Sequence, residues 1–208
     1  KKSVTREYLE AILVAVGLAL LIRSFGIQAF SIPSGSMEDS LLVGDFLLAN
    51  KLIYGAQIPF TPWRLPAFRG PRPGDVVIFR YPRDPDRDFI KRCVAGPEQT
   101  LEIRNKVLFV DGKRAVDPPR SKYTDPNLLR KEHPNANRDN YGPVQVPPGH
   151  FFMLGDNRDN SFDSRFWGTV SMDKIKAYPL LIYFSRNDDV PFWNVFDKVR
   201  WGRLGLVN

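Results

Sequence analysis

An uncharged hydrophobic run lies close to the start of this 208-residue chain. Residues 11–22 read AILVAVGLALLI, and apolar side chains extend the run on both sides, interrupted by Glu10 and Arg23. A helix needs roughly 20 residues to cross the hydrocarbon core of a bilayer, and this segment is long enough if Glu10 and Arg23 lie at the two interfaces. The pattern predicts a membrane anchor. A buried core helix and a cleavable signal peptide are the alternatives, because both have a similar composition.

Basic residues flank the hydrophobic run on its N-terminal side. They are Lys1, Lys2 and Arg6, and positively charged flanks stay on the cytoplasmic side of a membrane. We therefore expect residues 1–25 to form a cytoplasmic stub and a transmembrane anchor. Residues 26–208 are then expected to form one domain outside the cytoplasm.

Short apolar stretches separated by turn signals follow the anchor, which is typical of β-strands. The predicted strands are residues 75–81, 100–104, 107–110, 151–154 and 177–184. Asn105-Lys106 is predicted to close a hairpin, and Asp111-Gly112 is a second turn signal.

Helical periodicity is scarce beyond the anchor. A short helical turn is predicted to begin at Ser171, which is a suitable N-cap residue. Residues 113–148 are polar and contain seven of the 18 Pro in the chain, so we interpret them as a long surface excursion and not as a second domain. The expected fold is a mainly-β domain tethered to a membrane.

The composition excludes several kinds of site. Cys93, His133 and His150 are the only Cys and His residues, too few for a structural zinc site with four such ligands or for an internal disulfide. Neither His lies in a sequence typical of a buried general base, so a hydrolase would need another proton carrier. The net charge of +7 suggests nucleic acid or anionic lipid as a partner, but an excess of this size more often serves solubility.

A first candidate for chemistry follows the anchor directly. Residues 32–37 read IPSGSM, and Pro33 and Gly35 bend the backbone around Ser34 and Ser36. A Ser on a tight turn can present both its hydroxyl and its own backbone N–H to one substrate atom. The alternative is a polar turn that leaves the membrane.

A second candidate is Lys91, within the apolar stretch DFIKRCVAG of residues 88–96. If Lys91 is buried, its pKa falls and the neutral amine can act as a general base. In Ser-Lys pairs the Lys replaces His as the base that activates the Ser nucleophile. The alternative is a Lys that points outward from a strand. Cys93 is interpreted as a small buried apolar residue, with a reactive thiol as the alternative.

A third stretch, GDNRDNSFDSR at residues 155–165, contains three Asp, two Arg, two Asn and two Ser. It could be a solvated loop or a supporting shell that fixes a neighbouring Lys. The three stretches, in this order and after an anchor, resemble the motif blocks of bacterial type I signal peptidases. The sequences that carry the resemblance are PSGSM (33–37), FIKR (89–92), GDNRDNS (155–161) and DSR (163–165), with further similarity at 44–45 and 73–77.

The resemblance implies a role for each matching position. It implies Ser36 as the nucleophile, Lys91 as the general base, and Ser34 as the hydroxyl that completes an oxyanion hole with the Ser36 N–H. It implies that Ser161 orients the Lys. The positions with an implied ion-pairing role are Arg92, Asp156, Asp163 and Arg165. The positions implied to bind substrate are Phe30, Ile32, Met37, Leu41, Phe89, Ile90, Met153 and Leu154.

The resemblance further implies a single-pass serine endopeptidase of the bacterial cytoplasmic membrane, with its catalytic domain on the outer face. Such an enzyme removes signal peptides from exported preproteins after small residues in an Ala-X-Ala pattern, through an acyl-enzyme and without metal or cofactor. The expected partners are preprotein signal peptides and a lipid bilayer with an anionic surface, and no nucleic acid.

Three alternative functions remain open. They are a Ser-Lys self-cleaving regulator of the repressor type, a non-catalytic membrane-tethered binding protein, and a maturation peptidase for one substrate. Two aromatic runs, at residues 58–63 and 191–193, could dip into a membrane or could pack as ordinary loop aromatics.

Overall fold

The computed structural model describes residues 4–58, 61, 63–130, 132–191 and 193–207. Helix α1 (Val4–Leu21) opens the chain and is continued by a π-helical turn, Ile22–Gly26. The span Val4–Gly26 is 23 residues long, and its hydrophobic window is not buried against the rest of the chain. This exposure contradicts the core-helix alternative. By length and composition the segment can cross a membrane.

Two antiparallel sheets form the domain that follows. The strands of the larger sheet are β1 (Ile27–Ser31), β2 (Asp45–Asn50), β3 (Val76–Tyr81), β4 (Asp84–Ala95), β9 (His150–Leu154), β10 (Val170–Ser171), β11 (Ile175–Ser185) and β12 (Gly205–Leu206). The strands of the smaller sheet are β5 (Thr100–Arg104), β6 (Val107–Val110), β7 (Lys113–Arg114) and β8 (Tyr141–Gln145). Helices α2 (Ser164–Trp167) and α3 (Val195–Lys198) are one turn each. The mainly-β prediction is confirmed.

Strand order brings distant segments of the chain together. The larger sheet runs β1-β2-β11-β3-β4-β9-β10, with β12 paired to β11, and the smaller sheet runs β7-β6-β5-β8. Strand β3 lies in the middle of the larger sheet, and its alternate residues enter two hydrophobic clusters. Val77 and Phe79 pack into one cluster, whereas Val76 and Ile78 pack into the other. Both faces of the sheet are therefore covered at β3.

The local elements agree with the sequence predictions. The hairpin of β5 and β6 turns at Asn105 and Lys106, and both residues have positive φ, 48° and 69°, as a two-residue hairpin turn requires. A 3₁₀ turn, Met172–Lys174, follows Ser171 as expected, although the Ser171 side chain makes no capping hydrogen bond.

The prediction of a surface excursion over residues 113–148 is wrong in its last part. Residues 141–145 form β8, which pairs with β5, and Val146 is fully buried. Asp139 is also fully buried. Strand β8 completes the smaller sheet, because β5 would otherwise present an unpaired edge. Of the two aromatic runs, residues 59, 60, 62 and 192 lie outside the described residues, whereas Trp63 and Trp193 are exposed.

Candidate active site

Ser36 lies on a one-turn 3₁₀ helix, Gly35–Met37, that follows β1. The first N–H groups of a helical turn have no partner within the turn, so the backbone N–H of Ser36 is available to an incoming oxygen. Met37 anchors the turn, because its side chain is 1% exposed within a hydrophobic cluster. Ser34 precedes the turn in an extended conformation, and its Oγ lies 3.5 Å from Ser36 Oγ.

Lys91 meets this turn from the neighbouring strand β4. Its ammonium group donates a hydrogen bond to Ser36 Oγ at 2.5 Å, although the two residues are 55 positions apart. Lys91 is 4% exposed, so it is buried and does not point outward from its strand. Its Nζ also lies 5.6 Å from the centre of the Phe89 ring. The structure thus places the base expected from the sequence within hydrogen-bonding distance of the expected nucleophile.

Burial changes the acidity of Lys91. Desolvation lowers its pKa to about 8, although the nearby carboxylates of Asp163 and Asp156 act in the opposite direction. Arg165 adds a smaller lowering effect. An amine with this pKa is partly neutral near physiological pH, and only the neutral amine can accept a proton from a Ser hydroxyl.

The loop of residues 155–165 braces the Ser36 turn. The backbone N–H of Asn157 donates to the Ser36 carbonyl at 3.1 Å. The Asn157 side-chain amide donates to Glu38 Oε2 at 3.1 Å and to the Gly35 carbonyl at 3.4 Å. Gly155 lies so close that a Cβ there would clash with the Ser36 carbonyl and with Ser161. Sequence reasoning did not assign Asn157 or Glu38 a role, although Asn157 belongs to the third motif block.

Ser161 lies beside the same glycine and is buried. Its Oγ has no hydrogen-bond partner among the residues that the structure describes. The resemblance implied that Ser161 orients Lys91, but no hydrogen bond joins the two side chains in the described part of the chain. Ser161 is a buried hydroxyl next to the Ser36 backbone.

Arg92 and Asp156 form a buried bidentate ion pair. Arg92 Nε donates to Asp156 Oδ1 at 2.8 Å, and Nη2 donates to Oδ2 at 2.6 Å. Ser40 Oγ donates to the same carboxylate at 2.5 Å, and Arg92 Nη1 donates to the Gly74 carbonyl at 2.7 Å. Because Arg92 follows Lys91 and Ser40 follows the Ser36 turn, this network holds the two halves of the site together.

A second buried pair joins Asp163 and Arg165. Arg165 Nε and Nη2 each donate to the Asp163 carboxylate at 2.8 Å. The same carboxylate accepts the backbone N–H of Gly155 at 3.1 Å, and Arg165 Nη2 also donates to the Arg158 carbonyl at 2.6 Å. These contacts fix the loop that supports the Ser36 turn.

An open cleft of about 770 Å³ lies beside Ser36 and Lys91. Five of the eight positions expected to bind substrate line it: Phe30, Ile32, Met37, Phe89 and Ile90. The other three, Leu41, Met153 and Leu154, are at most 1% exposed and belong to hydrophobic clusters. None of these three side chains lines the cleft, so the structure does not support their expected contact with substrate. Lining residues that sequence reasoning missed are Arg87, Asp88, Asn160 and Phe162.

Cys93 lies two residues beyond Lys91 but belongs to the core. Its side chain is fully buried, and burial raises the pKa of its thiol to about 12. A thiol in this state is not a nucleophile at neutral pH. The reactive-thiol alternative is therefore wrong.

Comparisons with known proteins identify the family of this chain. The family described as signal peptidase, peptidase S26, matches residues 5–184. Signal peptidase I of Pseudomonas fluorescens is 36% identical over 192 residues, which cover 84% of this chain and 67% of the relative. The probable signal peptidase I-1 of Synechocystis sp. is 33% identical over 207 residues, which cover 96% of this chain and 87% of the relative. A solved signal peptidase I from Enterococcus faecalis V583 is 24% identical, with a TM-score of 0.42, over 54% of this chain and 98% of the other. The chain belongs to the S26 family of signal peptidases and is a serine peptidase.

Proposed function

We propose that this chain removes N-terminal signal peptides from exported preproteins, with Ser36 as the nucleophile and Lys91 as the general base. The observation that carries the proposal is the contact of 2.5 Å between Lys91 Nζ and Ser36 Oγ, made by a lysine that is 4% exposed. A buried lysine at this distance fulfils both requirements for an activated serine, which are contact with a base and a base whose pKa is lowered.

The first step forms an acyl-enzyme. Neutral Lys91 accepts the hydroxyl proton of Ser36 while Ser36 Oγ attacks the scissile carbonyl. Negative charge develops on the carbonyl oxygen, which accepts hydrogen bonds from the Ser36 backbone N–H and the Ser34 hydroxyl. The ammonium of Lys91 then donates its proton to the leaving amine, so that the peptide bond breaks and the mature protein departs.

The second step releases the signal peptide. Neutral Lys91 accepts a proton from a water molecule, and the resulting hydroxide equivalent attacks the ester carbonyl at Ser36. The proton then returns from Lys91 to Ser36 Oγ as the ester bond breaks. The cycle needs no group outside this chain and the water, and it regenerates both residues.

The cleft supports binding of an extended peptide with apolar side chains. Two extended chain segments border it, residues 30–34 and residues 87–91, and such segments can pair with a substrate backbone. The apolar side chains of Phe30, Ile32 and Ile90 line it. From the resemblance to type I signal peptidases we further propose cleavage after small residues in an Ala-X-Ala pattern.

The anchor supports a location at the bilayer. Helix α1 leads into β1, and Ser36 lies only five residues after the end of β1. We propose that the catalytic domain faces the outside of the cytoplasmic membrane, as the basic N-terminal flank favours. Protease added to spheroplasts then degrades residues beyond the anchor, whereas protection of this domain would reverse the orientation.

The direct test is cleavage of a purified preprotein in detergent by the wild type, Ser36→Ala and Lys91→Ala. Both variants are expected to lose at least 10³-fold in kcat/KM, and mass spectrometry is expected to place the wild-type cut after an Ala-X-Ala sequence. Lys113→Ala is the matched control, because Lys113 is exposed on β7. Near-normal turnover by either active-site variant would contradict the dyad. Failure of the wild type to cleave any preprotein would instead favour the binding-protein alternative.

A further inference from the structure

A second cavity lies at the junction of the anchor and the domain. It has a volume of about 550 Å³, and its lining includes five cationic side chains: Arg23, Lys51, Arg64, Arg80 and Lys176. No carboxylate is among the described residues that line it. The catalytic mechanism uses none of these cations.

These five cationic residues are far apart along the chain, and the fold brings them together. Lys51, at the end of β2, donates to the carbonyls of Arg23 at 3.0 Å and Ser24 at 3.2 Å. These bonds attach the turn below α1 to the domain. Arg64 is held among backbone carbonyls, including that of Ile175 at 2.6 Å, and Arg80 projects from the central strand β3.

Few acidic groups neutralise this cluster. Lys176 pairs with Asp88 at 2.7 Å, and Asp173 lies close enough to act on Arg64. Like charges within the cluster also repel one another. Lys176 and Arg23 help to lower the pKa of Lys51, after desolvation by burial, and Arg80 similarly affects Arg64. Binding of an anion lowers the electrostatic repulsion among like charges in a partly buried cavity.

The position of the cavity indicates which anion binds. Its apolar lining includes Leu20, in the last turn of α1, and Ile58. If α1 spans the bilayer, Arg23 lies at the level of the lipid headgroups. A ligand held here would place a phosphate among guanidinium and ammonium groups and an acyl chain along α1. Arg groups suit this task, because a guanidinium binds phosphate in a bidentate manner.

We propose that this cavity binds the phosphate of an anionic phospholipid headgroup. The bound lipid fixes the height and tilt of the domain on the membrane surface. The proposal concerns a site separate from the Ser36 cleft, and it does not depend on peptide cleavage.

The test measures thermal unfolding of the full chain in nonionic detergent, without substrate. Added phosphatidylglycerol is expected to raise Tm by roughly 3–5 °C at about ten times its Kd, whereas phosphatidylcholine at the same concentration is expected to have no effect. The double variant R23Q/R80Q is expected to lose this difference. The matched control is K113Q/R114Q, which removes the same charge from the exposed strand β7 and is expected to keep the difference.

Each result decides the proposal. Equal Tm in the two lipids for the wild type, or a difference retained by R23Q/R80Q, would overturn it. An equal rise in Tm with free glycerol phosphate at the same concentration would also overturn the proposal, because the site would then recognise a soluble phosphate. If K113Q/R114Q also lost the difference in Tm between the two lipids, the lipid effect would depend on net charge and not on this cavity. Peptide cleavage by R23Q/R80Q in phosphatidylcholine micelles is expected to match the wild type, which separates this outcome from a failure of the catalytic proposal.

Discussion

The Nζ atom of Lys91 lies 2.5 Å from the Oγ atom of Ser36, and strand pairing creates this contact. Lys91 is opposite Val77 in the β3–β4 pair, so its backbone is fixed by the core of the larger sheet. Ser36 is held from the other side by Asn157 and by the buried Met37. Two rigid supports therefore set the distance, as a preorganised site requires.

A buried lysine costs stability at neutral pH. The folded-state pKa of Lys91 is about 8, below the ordinary value of 10.5, so the unfolded chain binds more protons between these values and stability rises as pH rises through this range. Lys91→Met is expected to raise the free energy of unfolding at pH 7 by up to about 3 kcal/mol. The difference in free energy of unfolding between this variant and the wild type is expected to decrease from pH 8 to pH 10.5. Denaturant unfolding at several pH values checks this, and a pH-independent difference would contradict it.

Ser34 is expected to act only after attack has begun. The oxyanion appears in the transition state, so loss of the Ser34 hydroxyl is expected to lower kcat by about 10²–10³ with little change in KM. Steady-state kinetics of Ser34→Ala with a peptide substrate measure this. Ser31→Ala, at another serine that lines the cleft, is the control and is expected to stay within about twofold of the wild type. A rise in KM alone would assign Ser34 to substrate binding.

Arg203 is predicted to position the nucleophile from outside the segment that matches the family. The family match ends at residue 184, yet Arg203 Nη2 donates to the Ser40 carbonyl at 3.0 Å and to Asp45 Oδ2 at 2.6 Å. Ser40 lies between the Ser36 turn and β2, and Asp45 is the first residue of β2. Arg203→Ala leaves the buried Asp45 with one partner fewer and is expected to lower kcat by about tenfold or more, with a smaller change in KM.

The control for Arg203 is Arg114→Ala, because Arg114 is exposed on β7. Circular dichroism and unfolding of both variants separate positioning from collapse of the fold. Partial recovery of kcat in Arg203→Lys would support a positioning role, since the cation would be restored without the planar guanidinium geometry. Full activity of Arg203→Ala would show that the C-terminal segment does not position the site.

Local features of this fold were predictable from the sequence. The hairpin turn at Asn105 and Lys106 follows from turn chemistry within a few residues, and α1 follows from an unbroken apolar run. Strands β1 and β2 were not predicted, because β1 follows the anchor directly and its pairing with β2 fixes a register that the short sequence Ile27–Ser31 does not reveal. The end of the 113–148 segment was misread for the same reason, since β8 is defined by its partner β5.

The residues of the active site were also only partly predictable from the sequence. The motif blocks indicated Ser36, Lys91 and the paired charges, because those residue types carry recognisable chemistry. The cleft lining was predicted less well. Leu41, Met153 and Leu154 are apolar residues near a motif, and sequence alone does not say which face of a strand meets the cleft. The contact between Arg203 and Asp45 joins residues 158 positions apart, and no local sequence pattern predicts it.

The central claim is that a buried, neutral Lys91 activates Ser36, and the pH dependence of kcat/KM tests it most directly. For a short peptide without titratable groups, this ratio reports the ionisation of the free enzyme. The proposed mechanism predicts that kcat/KM rises tenfold per pH unit on the acid side and levels off above an apparent pKa of about 8. A limb that continues to rise to about 10.5, the ordinary value for an exposed lysine, would contradict it, as would a rate that does not change with pH.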